Sequence, residues 1–183
     1  SLQRQPAVQI GKVSRLACDP FRHGLDNLIP CFDKPSPSIL LLARRDSARF
    51  SKRWLNSEEC MIVVSKKLGF KLEIIYPEDL DPLGLIQLSR KFSILICEPG
   101  AAILLPALLK GTKQKIYMAS TLKRTCPSHY PANLLDFKGY DIEFIQASPV
   151  NVSDSYDAFE AWGDKFILDP EICYDVLKSE VLF

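Results

Sequence analysis

Hydrophobic residues in this chain are gathered into short runs separated by polar stretches of about a dozen residues. The run SILLLA at 38–43 follows Pro35 and Pro37 and carries no charge, the pattern of a strand buried on both faces. FKLEIIY at 70–76, FSILIC at 92–97, KQKIYMAS at 113–120 and YDIEFIQA at 140–147 read as further strands. Between them the spacing becomes helical. Met61, Val64 and Leu68 share one face of a helix predicted over 57–68, with Asn56 or Ser57 as its cap and Gly69 at the left-handed C′ position. Pro77 to Pro82 make a turn, and LGLIQLSRK at 83–91 is a short amphipathic helix. EPG at 98–100 turns into a small-residue apolar helix at 101–111. Further helices are expected near 130–137, over 153–162 and over 169–181, the last opened by Asp169 and Pro170 as cap and first turn. Residues 7–18 are weakly strand-like, and 21–32 hold one or two helical turns broken by Gly24 and Pro30.

Strands alternating with helical segments of this length predict βαβ units and a parallel sheet. Right-handed crossovers then put helices on both faces, which accounts for strands that are apolar throughout. The expected fold is α/β: a Rossmann-like, doubly wound, mainly parallel sheet of about five strands in a single domain over residues 1–183. A composition 47% apolar and 25% charged excludes intrinsic disorder. With 23 Lys+Arg against 22 Asp+Glu the formal charge is +1, so no whole-molecule attraction to nucleic acid exists and any anion site must be local. Cys18, Cys31, Cys60, Cys97, Cys126 and Cys173 form no CxxC and match no zinc or haem spacing. Cys60 and Cys97 lie in apolar runs and read as small buried hydrophobes. Two histidines, His23 and His129, are too few for a histidine-rich metal site, and none is expected. No stretch approaches the ~18 apolar residues of a membrane span, and the first residues lack an apolar signal core. A cytoplasmic setting is the expectation; the sequon Asn151-Val152-Ser153 points to a secretory lumen as the alternative.

Open α/β sheets bind ligands beyond the carboxyl ends of their strands, which singles out two loops. The first follows 38–43 and carries Arg44, Arg45, Arg49, Lys52 and Arg53 with only Asp46 opposing them. The guanidinium fork matches phosphate oxygens. The bland alternative is a solvated loop whose cations pair with Asp46, Glu58 and Glu59. The second loop begins at Glu98 and passes through Pro99, Gly100, Ala101 and Ala102. Small residues opening a helix let an anion approach free N–H groups, although they serve helix–strand packing equally well. Glu98 itself stands at a strand end, where catalytic carboxylates occur, or pairs with the arginine cluster. No G-x-G-x-x-G, no G-x-x-x-x-G-K-[ST] and no G-x-S-x-G occurs, so dinucleotide redox chemistry, P-loop phosphoryl transfer and serine hydrolysis lack their usual support.

Taken together, Arg44 or Arg45, Ser47, Arg49, Arg53, Asn56, Glu58 or Glu59, Gly69-Phe70, Leu88 and Gly100-Ala101 resemble the C-terminal half of glycosyltransferase family 61. That family includes protein O-GlcNAc transferases, plant xylan-decorating enzymes and bacterial capsular-polysaccharide proteins. The resemblance spans roughly residues 36–120. It implies a GT-B-like half that binds a nucleotide-sugar donor, UDP-sugar favoured, for inverting transfer to a glycan or protein acceptor. A GT-B cleft lies between two domains, so the resemblance implies either an absent N-terminal, acceptor-binding domain or a reduced or inactive protein; no cofactor is expected, and the balanced charge leaves no nucleic-acid partner expected. Arg45, Arg49 and Arg53 would then hold the phosphates, with the Gly100 and Ala101 amides as a second cradle, and Arg44 would belong to the substrate-binding set. Asn56 would cap its helix, contact the ligand or do both, and Glu98 would line the site. Charge building on the departing diphosphate would be met by guanidinium groups and a helix N-terminus. Pro99 and the pair Leu104-Leu105 depart from the family's His and Thr-Asn at the glycine turn. The general base is unidentified, with His23 and Glu98 as candidates by chemistry. Trp54 and Trp162 either stack on a ligand or pack. The alternative is a non-catalytic nucleotide-recognition or interaction domain that kept the fold and lost the chemistry. A third possibility is a Rossmann-like protein whose basic loop binds some other phosphorylated metabolite.

Overall fold

Strand β1 (Ser38–Leu42) is buried along its whole length between two parallel neighbours, β2 (Lys71–Ile75) and β3 (Ile94–Cys97). Ile39 pairs with Leu72 on one side and Ile94 on the other. β4 (Lys115–Ser120) adds beside β3, and β5 (Ile142–Gln146) beside β4, again in parallel. The computed structural model describes residues 24, 27–29, 37–46, 52–98, 114–121, 142–150 and 165–179. Over these the sheet has five strands in the order β2-β1-β3-β4-β5, all parallel. This is a Rossmann-like, flavodoxin-like α/β fold.

Alternation along each strand divides the core into two layers. Ile39, Leu41, Ile94, Ile96, Tyr117, Ala119 and Ile145 face one way. They are covered by Met61 and Val64 of α1 (Ser57–Leu68) and by Cys173 and Leu177 of α3 (Pro170–Leu177). Leu40, Leu42, Leu95, Cys97, Ile116, Met118 and Ile142 face the other way, against Leu85 of α2 (Pro82–Ser89) and Phe92. Helices therefore lie on both faces, as expected from the apolar strands. Each fully buried Leu or Ile contributes on the order of 1.5–3 kcal/mol, which makes this double layer the main source of stability. Cys60 and Cys97 are buried free thiols within it, as their apolar context predicts, and Cys173 joins them.

The helices begin and end where local chemistry requires. α1 stops at Gly69, whose φ of 71° is left-handed, and its N–H returns to Lys66 O at 3.3 Å. An added Cβ there would meet nothing within 4 Å, so the constraint is purely conformational. Asp81 caps α2 by accepting from Gly84 N at 2.7 Å, and Asp169 caps α3 by accepting from Glu171 N at 2.9 Å, each followed by proline in the first turn. The expected elements at 7–18, 101–111, 130–137 and 153–162 lie outside the described residues. Two elements were not expected. β6 (Ser148–Pro149) and β7 (Phe166–Ile167) form an antiparallel pair of two residues each, and Phe166 also bridges Trp54 in parallel. Among the described residues no helix is long and apolar enough to cross a membrane.

Candidate functional site

Leaving β1, the chain travels outward to β2, then returns across β1 to β3 and continues outward to β4 and β5. The sheet order thus reverses between β1 and β3, and the crevice beyond their carboxyl ends is where such folds take ligands. Leu42 of β1 pairs with Cys97 of β3, so the residues that follow each strand emerge side by side. Glu98 directly follows Cys97, and Arg44 comes one residue after Ala43, which follows Leu42.

Glu98 is 6% exposed. Its Oε2 accepts from the backbone N–H groups of Arg53 at 2.9 Å and Trp54 at 2.7 Å. Its Oε1 lies 3.2 Å from Nε of Arg44, whose side chain is mostly covered. Burial pushes the Glu98 carboxyl above the usual carboxylate range, opposed by the Trp54 N–H and by the charges of Arg44 and Arg53. Burial lowers Arg53, the neighbouring Arg44 lowers it further, and Glu98 partly restores it. Three charged side chains are held together, two positive and one negative.

The other cations of the basic loop go elsewhere. Arg45 makes a two-pronged contact to Asp79, at 2.6 and 2.7 Å, with its guanidinium 3.9 Å from the centroid of Tyr76. Hydrogen bonds from Arg45 hold the Asp79 carboxyl below its ordinary range. Lys52 pairs with Glu58, which also accepts from Ser57 Oγ at 2.6 Å and Tyr76 OH at 3.2 Å. Although burial pushes Glu58 upward, the hydrogen bonds from Lys52 and Ser57 hold it low. The Lys52 N–H donates to Asp46 at 2.7 Å. Of the pairings in the solvated-loop reading, Glu58 takes the Lys52 ammonium and Asp46 accepts only from the Lys52 backbone N–H, while Arg44 and Arg53 lie beside Glu98. Arg49, Gly100 and Ala101 lie outside the described residues.

Asn56 occupies the N-cap position of α1, but its side chain makes no capping hydrogen bond, contrary to the expected capping role. Its Oδ1 instead accepts from Trp54 Nε1 at 3.0 Å and Leu168 N at 3.1 Å, while Nδ2 donates to Leu168 O at 3.0 Å. The carboxamide is drawn to a residue 112 positions away because the backbone of Leu168 offers it both a donor and an acceptor. Trp54 is 1% exposed and stacks on Phe166 with ring centroids 6.2 Å apart, so it packs rather than presenting a face to a ligand. Phe166 N donates to Arg53 O at 2.8 Å and Leu55 N to Phe166 O at 2.9 Å. The segment carrying Arg53 and Trp54 is consequently fixed from two sides, by Glu98 and by β7.

Sequence reasoning named Glu98 and the arginines but did not foresee Asp79 or Phe166 as their neighbours. Asp79 follows β2, and knowing that β2 borders β1 would have found it; β7 offers only two residues of signal. Among the described residues no cluster of His, Cys, Asp and Glu is arranged to hold a metal. What the arrangement brings together at the strand ends is two guanidinium groups and one carboxylate in a partly dewatered setting, where charge counts for more than in water.

No family model and no curated protein matches the chain. Among solved structures it is similar to the flavodoxin-like domain of a Synechococcus sp. protein, at 14% identity and a TM-score of 0.43, over 79% of this chain and 99% of that one. The fold is carried by the strand order itself.

Proposed function

We propose that the chain is the nucleotide-sugar-binding half of a glycosyltransferase resembling family 61, and that the crevice beyond β1 and β3 takes the donor's diphosphate. The observation that supports this reading is the convergence of Arg44 and Arg53 on Glu98 at the switch point. Arg44 and Arg53 bring guanidinium groups to the place where such sheets bind phosphates. In sugar transfer negative charge builds on the departing diphosphate, and a fixed guanidinium stabilises it without a metal. Arg44 is the residue assigned to the phosphates here, with Arg49 and the Gly100 and Ala101 amides as the further contacts that the sequence suggests. Arg45 is given a different part, closing the edge of the sheet against Asp79.

A non-catalytic nucleotide-recognition domain is the second reading, and one observation favours it. Glu98 commits Oε2 to two backbone N–H groups and Oε1 to Arg44, which makes it a poor general base. Thermal unfolding with UDP, UDP-glucose, GDP and NAD, with and without Mg²⁺, tests both. A ligand at a hundred times its Kd adds about 2.7 kcal/mol of stability. Stabilisation by UDP or UDP-glucose that vanishes in Arg44→Ala is expected; stabilisation by none of the nucleotides refutes the proposal. Sugar turnover by a longer chain given an acceptor then separates an enzyme from a recognition domain.

A further inference from the structure

Glu98 sets its carboxylate against two consecutive backbone amides and a guanidinium group. Its Oε2 receives two consecutive backbone N–H groups, an arrangement of the kind that cradles phosphate and sulfate. Its Oε1 faces Arg44 Nε yet accepts no hydrogen bond, although the residue is 6% exposed. A buried carboxylate oxygen without a hydrogen-bond donor is costly, and structures retain few of them. The charged and titratable groups that act on this carboxylate are Arg44 from the β1 loop, Arg53 from the segment before α1, and Cys97 on its own strand. The Trp54 N–H completes its surroundings.

We infer that Glu98 is a built-in competitor for the anion crevice: a phosphorylated ligand engages Arg44 as Glu98 takes up a proton, so binding is proton-coupled and Glu98 sets its pH dependence. The inference rests on reading this crevice as a phosphate site. A second anion against the same guanidinium raises the pKa of a neighbouring carboxyl. Burial has already moved this one in that direction. The proton comes from solvent and settles on Oε1, the oxygen lacking a donor. Oε2 keeps both backbone hydrogen bonds, and the new O–H can donate to a ligand oxygen. A carboxylate that repels the ligand is converted into a carboxylic acid that binds it.

The experiment measures Kd for UDP-glucose and for inorganic sulfate from about pH 8 to about pH 5.5, a range over which both probes keep their charge. Wild type, Glu98→Gln and Arg44→Ala are compared. Wild-type affinity for the bound probe is expected to rise as pH falls, with a slope approaching tenfold per pH unit near the carboxyl's pKa. Glu98→Gln should bind about tenfold more tightly than wild type at the alkaline end and show a flat profile. Imidazole ordinarily titrates in this range, and the flat Glu98→Gln profile is what assigns the proton to Glu98. Calorimetry of the wild type in two buffers of different ionisation enthalpy should read uptake of close to one proton, which needs no variant to fold. If UDP-glucose binds with no proton uptake, or Glu98→Gln binds it more weakly, the inference is overturned and the nucleotide reading stands. If sulfate alone binds, with proton uptake lost in Glu98→Gln, the nucleotide reading falls and the inference stands. If neither probe binds wild type or Glu98→Gln at any pH, both are overturned.

Discussion

At the amino ends of β1 and β3, Ser38 N donates to Ser93 Oγ at 2.9 Å and Ser93 Oγ to Ser38 O at 2.9 Å. Close by, the buried Gln114 amide spans Ser89 O at 2.5 Å and Phe92 O at 2.8 Å. At the carboxyl ends of the same two strands the groups are ionic: the buried Glu98 with the half-buried Arg44 and Arg53. The two ends anchor backbone groups where the sheet stops with different chemistry. The hydroxyl and amide hydrogen bonds at the amino end are neutral and do not depend on pH, and the buried Arg90 beside them donates to Ile29 O at 2.8 Å. The carboxyl end is held by mutual compensation of charges, so losing one member leaves the others exposed to the full cost of burial. Neutral closure is stable and inert, whereas ionic closure is conditional and able to respond to a ligand.

The sharpest way to break the ionic end is Trp54→Ala. It removes the stack on Phe166, the indole bond to Asn56 and a fully buried aromatic. Urea unfolding should show a loss of about 3–5 kcal/mol. Arg44→Ala should cost about 1–3 kcal/mol at neutral pH, because Glu98 is left with fewer compensating charges. Adding Glu98→Gln to Arg44→Ala should recover much of that loss; strict additivity in the double-mutant cycle would refute the compensation described here. At the neutral end, Gln114→Ala should cost about 1–2 kcal/mol, by the same amount at acidic and alkaline pH, without altering any nucleotide response.

The smallest effect expected is in the pH profile of thermal unfolding, and its sign differs between carboxylates. Glu98 has a raised folded pKa, so its contribution is full below the unfolded value and is lost as pH rises through the folded one. Glu58 and Asp79 have lowered folded values, so theirs is present above the unfolded value and is lost as pH falls through the folded one. Glu98→Gln should remove the decline on the rising side and leave the acid limb unchanged; an unaltered rising side would contradict the burial argument.

Much of the scaffold was legible because its signals are local. SILLLA is a strand for reasons contained in six residues, and α1 runs over 57–68 as its spacing and Gly69 predict. The order β2-β1-β3-β4-β5 was not legible, because short apolar strands carry no label for their neighbours. That loss propagated to the site. Arg45 looked equivalent to Arg44 until strand order set Asp79 beside it. Asn56 looked like a cap because its neighbours in sequence said so, while the peptide it binds lies 112 residues on. β6 and β7 are too short for any alternation to register.

The pairing of Phe166 with Arg53 and Leu55 has a consequence for biosynthesis. Residues 38–98 supply the central strands and every charge of the cluster, but the clamp on their connecting segment is translated much later. A nascent chain can therefore assemble the sheet nucleus on the ribosome while the segment carrying Arg53 and Trp54 is still slack. Stretches near Phe166 and Leu168 act as the closing stitch, and that segment is fixed only once they emerge.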